Sequence, residues 1–403
     1  MLARRALVVG LARSGQAAAL ALAARGVEVV AVDRNPDVDT GRLAAAGVEV
    51  RVGTDEGATG DVNLVIKSPG VPAEAPPVVH ARERGIPVWS EVELGWRLLA
   101  PRPFIGVTGT KGKTTTAELL GAMFRAAGRP VEVAGNVGRP LTSVEAAEDA
   151  WIVCELSSFQ LEDVHELALE VAVLLNLAPD HLDRHGTFEA YRDAKLRIFE
   201  RARVRIVPTG YHGEVFTADD ALPAEPALPG RHNRANAAAA TLAARAAGLP
   251  DDAIADALRT FRGVPHRLEL VAERGGVRWV NDSIATNTFA VLAGAGAFDA
   301  PVRLILGGQT KGEDYGPFAR DLPANVVAAY LVGELEDELA VAFDAARRPY
   351  ERSGTVAGAV EAAARDARPG DVVLLSPAAT SFDQYPSYAE RGEDFRRLVE
   401  GLA

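Results

Sequence analysis

Residues 104–116, FIGVTGTKGKTTT, read as a strand, a glycine-rich turn and the first turn of a helix. In such a turn, successive backbone N–H groups and the positive end of the helix can surround phosphate groups, and Lys113 adds a point charge. The usual P-loop pattern has a glycine five positions before Gly112, where this chain has Val107. The stretch is therefore a variant P-loop, and its strand and helix favour phosphate binding over a plain glycine turn.

The rest of the chain surrounds this motif with strand-like runs that alternate with helical runs rich in Ala and Leu. This alternation is typical of parallel sheets covered by helices, so we expect an α/β fold. At 403 residues, the chain exceeds what one hydrophobic core usually serves. We expect three domains: a Rossmann-like first domain over residues 1–91, a central P-loop domain with a mainly parallel sheet over residues 92–263, and a Rossmann-like third domain over residues 264–403.

Composition and charge narrow the classes of function. The net charge of -12 argues against a general nucleic-acid binder, because phosphate backbones are held by clustered Lys and Arg. The single cysteine, Cys154, cannot form an internal disulfide, which suits a reducing compartment. No stretch approaches the roughly 20 apolar residues that span a bilayer. We therefore expect a cytoplasmic protein without membrane insertion, in which any phosphate site is local.

A second glycine-rich turn lies near the start of the chain. Residues 10–15, GLARSG, follow a strand, and Asp33 ends the next strand, as in a dinucleotide-binding fingerprint whose middle glycine is Ala12 here. A tight strand-to-helix turn explains the pattern equally well. If the turn binds a nucleotide diphosphate, NAD and a UDP-sugar are both candidates.

Three further positions carry polar chemistry. Glu155 follows the strand that begins at Trp151, where it could hold magnesium beside the P-loop or simply begin a helix. His181 belongs to the polar segment 176–185, which is either an ordinary loop or a segment that carries a ligand. Lys195 on its own is typical of a solvated helix residue, and a protonated lysine cannot bind a metal.

In order and spacing, these motifs resemble the Mur ligase family. The resemblance covers nearly the whole chain and rests on residues 108–115 (TGTKGKTT), 155–160 (ELSSFQ), 180–183 (DHLD), Lys195, 230–236 (GRHNRAN), 266–267 (HR), 281–283 (NDS) and 376–378 (SPA). Within the family, the segment 375–392 and the Rossmann-like first domain most resemble the member that uses D-glutamate.

The resemblance implies an ATP-dependent amide ligase of peptidoglycan precursor synthesis that adds D-glutamate to UDP-N-acetylmuramoyl-L-alanine. The carboxylate of the UDP-linked substrate would take the γ-phosphoryl group of ATP, and the amine of D-glutamate would then displace phosphate. Two Mg²⁺ ions and a carbamylated Lys195 are implied as cofactors. The partners would be these small molecules, without nucleic acid, and the enzyme would be a monomer.

The resemblance also implies roles for individual residues. The catalytic residues would be Lys113, Glu155, His181 and Lys195, and the metal ligands would be Thr114, Glu155, His181 and Lys195. ATP would contact Gly109, Thr110, Lys111, Gly112, Lys113, Thr114, Thr115, Asn236, Arg267 and Asp282. The UDP substrate would contact Arg13, Ser14, Asp33, Arg34, Gly70, Asn136 and Gln160. D-glutamate would contact Thr286, Lys311, Ser381, Phe382 and Tyr388.

Three positions depart from the family pattern. Ile284 stands where the family usually has a lysine, Ala379-Thr380 replace the usual Cys-Ala, and Thr310 replaces an acid or a glycine. These departures leave the amino-acid contacts open, so another Mur ligase or a folylpolyglutamate-type ligase is the alternative within the class. A nicotinamide-dependent dehydrogenase built on residues 10–15 is the alternative from another class.

Overall fold

The computed structural model describes residues 3–54, 61–136, 138–310 and 314–402. These residues form three sheets in two compact units, Met1–Phe261 and Arg262–Ala403. The first unit contains two of the sheets and the second unit contains the third. Each sheet has buried apolar clusters on both of its faces, as parallel sheets covered by helices require.

The first sheet forms the Rossmann-like start of the chain. Its strands are β1 (Arg5–Val9), β2 (Glu28–Asp33), β3 (Glu49–Val52), β4 (Leu64–Lys67) and β5 (Val88–Ser90), with helices α1 (Arg13–Ala23), α2 (Gly41–Ala45), α3 (Pro76–Glu83) and α4 (Glu91–Leu99). The strands are parallel, in the order β3-β2-β1-β4-β5. Because β2 and β4 lie on opposite sides of β1, a crevice for ligands forms at the carboxyl ends of β1 and β4.

The second sheet carries the P-loop. Its strands are β6 (Phe104–Thr108), β7 (Val131–Gly135), β8 (Trp151–Glu155), β9 (Leu169–Leu174), β10 (Ala202–Val207) and β11 (Glu214–Val215). Its helices are α5 (Lys113–Ala126), α6 (Ser158–Leu161), α7 (Leu182–His185), α8 (Phe188–Leu196), α9 (Arg231–Ala246) and α10 (Asp251–Thr260). The strands are parallel, in the order β11-β10-β9-β6-β8-β7. The P-loop strand β6 therefore lies inside the sheet, with β9 and β8 as its neighbours.

Helix α5, which follows the P-loop, is fixed by an alanine-rich neighbour. Residues 237–240 of α9 are four buried alanines, and they share one apolar cluster with Leu120, Met123 and Phe124 of α5. Small side chains on one helix allow the other to approach closely, and packing in such cores is dense. Helix α5 is thereby held between α9 and the second sheet.

The third sheet makes up the second compact unit. Its strands are β12 (Glu269–Arg274), β13 (Val277–Asn281), β14 (Val302–Gly307), β15 (Val326–Val332), β16 (Tyr350–Gly354) and β17 (Val372–Leu375). Its helices are α11 (Thr288–Ala295), α12 (Gly316–Asp321), α13 (Glu336–Ala346), α14 (Val356–Asp366) and α15 (Tyr388–Glu400). The order is β12-β13-β17-β14-β15-β16, and only the pair β12–β13 is antiparallel among the described strands of this sheet.

The predicted α/β class is confirmed, whereas some predicted boundaries shift. The sequence predicts the helix at Gln16, but α1 begins at Arg13. It predicts a strand over residues 62–66 before the turn at residues 68–70, but β4 spans Leu64–Lys67. The two sheets of residues 1–261 lie in one compact unit, and the second unit begins at Arg262, close to the predicted residue 264. The division into three domains stays a prediction.

Gly307, at the end of β14, lies where β14 and β15 of the third sheet approach each other closely. Its φ is +128°, and a Cβ atom there would lie 1.8 Å from the carbonyl oxygen of Val332. Because a backbone carbonyl cannot turn away as a side chain does, we expect Gly307→Ala to destabilise the second unit by about 3 kcal/mol. Hydrogen exchange of the β14 and β15 amides measures the lost free energy.

Gly354→Ala is the matched control, because Gly354 also ends a strand of this sheet and has a φ of +68°. Apart from Gly354 itself and its two chain neighbours, no described residue has a heavy atom within 4 Å of its Cβ position. Only the cost of the left-handed backbone, about 1 kcal/mol, applies there. Equal destabilisation by the two substitutions would contradict this account of Gly307.

Candidate active site

The P-loop joins the carboxyl end of β6 to the first residue of α5. Gly109 and Gly112 adopt φ values of 153° and 89°, and Gly112 is the N-terminal cap of α5. The N-terminal amides of α5 are oriented toward the space where a phosphate group would bind. Lys113 Nζ donates to the carbonyl oxygens of Gly109 at 3.0 Å and Thr110 at 3.1 Å. The lysine therefore lies over the loop, as a phosphate-binding cation requires.

Two residues that the sequence prediction missed brace this loop. Asn176 accepts from the Lys111 backbone N–H at 2.9 Å and donates to the Lys111 carbonyl at 3.0 Å. The hydroxyl oxygens of Thr110 and Tyr191 lie 2.9 Å apart. Asn176 follows β9, the neighbour of β6, and Tyr191 lies four residues before Lys195 on α8, so its ring lies on the same helix face. Those two spacings are the signals that could have identified them.

Lys195 is a buried lysine beneath the P-loop. Its Nζ atom donates to the Gly109 carbonyl at 2.9 Å and lies 3.4 Å from Thr108 Oγ1 and 4.9 Å from the centre of the Tyr191 ring. Burial, and secondly the charge of Lys113, lower the pKa of Lys195 to about 7. A large share of these amines is therefore neutral at neutral pH, so the solvated lysine expected from the sequence alone is not found.

Glu155 lies beside the P-loop, because its strand β8 is paired with β6. Thr114 Oγ1 donates to Glu155 Oε2 at 2.8 Å, and Asn136 Nδ2 donates to Oε1 at 3.1 Å. The side-chain oxygens of Thr114 and Glu155 are hard donors of the kind that Mg²⁺ prefers. The described residues contain no group of three or more His, Cys, Asp or Glu side chains that could enclose a metal. The donor set thus fits a Mg²⁺ ion that also binds substrate phosphates and water.

His181 and His185 form an aromatic group with Phe159. His181 is exposed, has a left-handed φ of 51°, and lies 5.0 Å from the Phe159 ring and 6.4 Å from the Tyr191 ring between centroids. The His185 ring stacks on Phe159, and its Nε2 lies 3.0 Å from Ser158 Oγ. Burial lowers the pKa of His185, so this imidazole is neutral at neutral pH. His181 is the histidine with an accessible ring, and it lies close to Tyr191 at the Lys195 end of the site.

A cavity of about 580 Å³ lies at the carboxyl ends of β1 and β4. Ser68 Oγ donates to the Gly10 carbonyl at 2.7 Å, and Asp33 Oδ2 accepts from the Leu11 N–H at 2.5 Å, which together shape the turn after β1. All seven residues predicted to contact the UDP substrate line this cavity: Arg13, Ser14, Asp33, Arg34, Gly70, Asn136 and Gln160.

In the second compact unit, Asp282 lies at the carboxyl end of β13. It accepts from Ser376 Oγ at 2.8 Å and from the Leu268 N–H at 3.1 Å, and burial raises its pKa to about 6. Arg267 stands between two residues with left-handed backbone, His266 with φ 62° and Leu268 with φ 42°. Such backbone strain is concentrated at functional sites. This turn contains Arg267, and its Leu268 N–H binds Asp282, so the two predicted nucleotide contacts lie close together.

The described residues that are predicted to contact D-glutamate differ in their exposure. Ser381 is buried, while the side chains of Phe382 and Tyr388 are exposed. Thr286 follows the segment 281–283, and Lys311 lies outside the described residues. The structure adds Arg391, a buried cation that donates to Ser283 Oγ at 3.0 Å and to the Ser283 carbonyl at 3.0 Å, next to the position where the family lysine is replaced by Ile284. Burial lowers the pKa of Arg391 to about 10, so it remains a cation at neutral pH.

Comparisons with known proteins identify the family of this chain. A family model described as Mur ligase middle domain matches residues 107–207, and one described as Mur ligase, glutamate ligase domain matches residues 266–379. A UDP-N-acetylmuramoylalanine–D-glutamate ligase from Sphingopyxis alaskensis is 42% identical, over 99% of this chain and 98% of that protein. Enzymes of the same name from Anaeromyxobacter dehalogenans and Acidobacterium capsulatum are 41% and 39% identical, over 98% of this chain and 97% and 96% of those proteins. The chain belongs to the Mur ligase family.

Solved structures of other Mur ligases share the fold. The UDP-N-acetylmuramate-alanine ligase from Thermotoga maritima gives a TM-score of 0.55 at 18% identity, over 98% of this chain and 99% of that chain. A murein peptide ligase from Psychrobacter arcticus gives a TM-score of 0.50 at 17% identity, over 99% of each chain. At these identities the likeness concerns the fold alone.

Membership in the Mur ligase family confirms the predicted enzyme class. It makes the chain an ATP-dependent ligase and implies the use of Mg²⁺, in agreement with the donors of the P-loop site. It favours a ligase over the nicotinamide-dependent dehydrogenase considered for residues 10–15. Among the described residues, no helix has both the length and the apolar content needed to cross a bilayer.

Gly112→Ala tests the geometry of the P-loop in this Mur ligase. A Cβ atom at Gly112 would lie 2.5 Å from Asn236 Oδ1, and the residue has a φ of +89°. The substitution must therefore displace both the loop and Asn236, a predicted nucleotide contact. We expect ATP binding, measured by titration calorimetry, to weaken at least about tenfold, or about 1.4 kcal/mol.

Gly128→Ala is the matched control at the other end of α5. Gly128 has a φ of +65°, and, apart from Gly128 itself and its two chain neighbours, no described residue has a heavy atom within 4 Å of its Cβ position. It carries the same left-handed backbone cost without a neighbour to displace. Unchanged ATP affinity is expected there, and an equal loss at both positions would refute the Asn236 contact as the cause.

Proposed function

We propose that this Mur ligase joins D-glutamate to the carboxylate of UDP-N-acetylmuramoylalanine through an acyl phosphate, in the synthesis of peptidoglycan precursors. One contact carries the proposal. Asn136 lines the cavity of the first sheet, and its side-chain amide also donates to Glu155 beside the P-loop. A UDP-linked substrate in this cavity would direct its carboxyl end toward the ATP phosphates. The identities of 39% to 42% to enzymes of that name support the same substrates.

The chemistry depends on offsetting negative charge, because a carboxylate and a triphosphate repel each other. In our proposal the amides at the start of α5 and the ammonium group of Lys113 bind the phosphates. Thr114 and Glu155 would hold Mg²⁺, which supplies positive charge to the phosphate oxygens when it is bound. Asn136 orients the Glu155 carboxylate through the 3.1 Å hydrogen bond, so that the same amide serves the metal site and the substrate cavity.

Lys195 is proposed to be carbamylated. Its pKa of about 7 makes the neutral amine abundant, and the amine can attack carbon dioxide, forming a C–N bond and releasing one proton to water. The product is a carboxylate on a buried side chain, a hard oxygen ligand that suits Mg²⁺ as the ammonium form does not. With His181, it would serve a second ion near the acyl carboxylate.

The second compact unit is proposed to bind the amino acid and part of the nucleotide. Thr286, Lys311, Ser381, Phe382 and Tyr388 would contact D-glutamate, and Arg267 and Asp282 would contact ATP. The buried cation Arg391 supports an anionic amino acid, because it lies beside Ser283 and retains its charge at neutral pH. A monomeric state and a cytoplasmic location complete the proposal.

The choice of amino acid is the direct test of this function. Phosphate release, followed with a coupled assay, is expected to require ATP, UDP-N-acetylmuramoylalanine and D-glutamate together. Replacement of D-glutamate by L-lysine or a diamino acid is expected to lower the rate at least about a hundredfold, because the protein groups that bind the side-chain carboxylate of D-glutamate lose their partner. Equal rates would show that this chain is another Mur ligase, and turnover with a folate substrate would indicate a folylpolyglutamate-type ligase.

Carbamylation of Lys195 can be observed without turnover. In bicarbonate labelled with carbon-13, the wild-type chain is expected to give a carbamate NMR signal that increases from about pH 6 to about pH 8, as the amine loses its proton. The control is Lys195→Arg, because a guanidinium keeps its proton and cannot form a carbamate. That variant is expected to bind ATP normally and to lose activity at least about a hundredfold. A wild-type chain without the signal, or a fully active Lys195→Arg chain, would rule out the carbamate.

A further inference from the structure

Lys67 is a fully buried cation in a strand that is otherwise aliphatic. The three residues before it in β4, 64–66, are buried Leu, Val and Ile, and the Lys67 side chain is 0% exposed. Its Nζ atom lies 2.9 Å from Glu162 Oε2 and 2.8 Å from Asp163 Oδ2. A buried ion pair contributes little net stability compared with apolar side chains of the same size, because both charges lose water. The ion pairs of Lys67 therefore matter mainly for the segments of the chain that they hold in place.

The two ends of these ion pairs belong to different walls of the cavity. Lys67 directly precedes residues 68–70, which line the cavity from the first sheet. Glu162 and Asp163 directly follow helix α6, whose residue Gln160 lines the cavity from the side of the second sheet. The ion pairs are therefore a direct link between the parts of the first compact unit that enclose the cavity.

Gln160 lines this cavity, and the orientation of its side-chain amide is fixed. Its Oε1 atom accepts from the Ser157 N–H at 2.9 Å and from Ser157 Oγ at 3.0 Å, which fixes the orientation of the amide. Its Nε2 atom is buried and has no hydrogen-bond partner among the described residues. An unsatisfied buried donor is costly, so a ligand oxygen at this position would be bound favourably. The position of α6 decides where that donor lies.

A second cation connects the same carboxylate to the cavity and to the His181 segment. Arg184 Nη2 donates to Glu162 Oε2 at 3.1 Å and to the carbonyl oxygen of Val71, another cavity residue, at 2.9 Å. Its guanidinium lies 4.9 Å from the centre of the Phe159 ring. Glu162 thus receives Lys67 from the first sheet and Arg184 from α7. The cluster of Lys67, Glu162, Asp163 and Arg184 fixes the cavity from both sides.

We propose that Lys67 is a positioning residue for the UDP-linked substrate. By pairing with Glu162 and Asp163, it sets the distance between the wall at residues 68–70 and the Gln160 amide. The inference rests on the proposed function, since it takes the ligand of the cavity to be a UDP-linked molecule. The P-loop is braced separately by Asn176 and Tyr191, so ATP binding does not depend on Lys67.

Lys67→Met removes the charge and keeps most of the side-chain volume. We expect the KM for UDP-N-acetylmuramoylalanine to rise at least about tenfold, while the KM for ATP and kcat change by less than about threefold. The affinity for UDP alone, measured by calorimetry, is expected to fall by a similar factor. A role in folding alone would not separate the two substrates in this way.

Two companion variants separate positioning from stability. Lys67→Met combined with Asp163→Asn removes one cation and one anion, so the cluster keeps its net charge. If the single variant does not fold, the measurements are made on this double variant. It is expected to keep the raised KM, because the contact between Lys67 and Glu162 is still missing. Arg303→Met is the matched control, because Arg303 forms a similarly buried pair with Asp371, at 2.7 Å, in the second compact unit. It is expected to lower the melting temperature without changing the KM for the UDP substrate.

The outcomes distinguish the two proposals. A wild-type chain that binds no UDP would contradict the proposed function. If the wild-type chain binds UDP, and the folded Lys67 variants have a KM for the UDP substrate within about twofold of the wild-type value, the proposed role of Lys67 is overturned. The proposed function is not affected by that result. An equal rise of that KM in Arg303→Met would also overturn the role of Lys67, because the effect would then follow from lost stability.

Discussion

A triphosphate and a carboxylate repel each other, and a chain with a net charge of -12 has no general positive field to bring them together. The positive potential of this enzyme must be local. It comes from the start of α5, from Lys113 folded over the loop, and from the donors that hold Glu155. These groups meet because β6 lies between β8 and β9, so that the P-loop, Glu155 and Asn176 come to one edge of the sheet. Strand order is thus the condition for the chemistry.

Among the described residues three cations are fully buried, and they avoid the cost of desolvation in different ways. Lys67 is neutralised by the carboxylates of Glu162 and Asp163. Arg391 keeps its charge and is surrounded by carbonyl and hydroxyl oxygens, including those of Ser283. Lys195 donates to the Gly109 carbonyl, and its pKa is lowered, so it loses its proton more easily. The number of anionic partners therefore distinguishes Lys67, the proposed positioning residue, from Lys195, the reactive amine.

The P-loop, the α/β class and the turn after β1 could be predicted, because each depends on residues close together in the sequence. The seven cavity residues required the family resemblance, since Arg13 and Gln160 are brought together only by two sheets. Lys67 could not be predicted, because its partners Glu162 and Asp163 lie 95 or more positions away and no periodicity marks them. The predicted strand over residues 62–66 leaves Lys67 out, whereas distant carboxylates allow the lysine to remain in β4. Asn176 and Tyr191 also have partners that are distant in sequence, 65 and 81 positions away, although their positions after β9 and on the Lys195 face of α8 are signals that could have identified them.

The lowered pKa of Lys195 connects the state of the active site to the stability of the fold. The ordinary value of 10.5 applies to the unfolded chain, and the folded value is about 7. Between these two pH values the unfolded chain binds more protons, so stability rises with pH through this window, and below about 7 the folded state carries the full cost of a buried ammonium. Carbon dioxide that reacts only with the folded amine removes that amine from the protonation equilibrium, and it stabilises the fold as any ligand of the native state does. The carbamate proposed for Lys195 would therefore supply a metal ligand and would also stabilise the folded state relative to the unfolded chain.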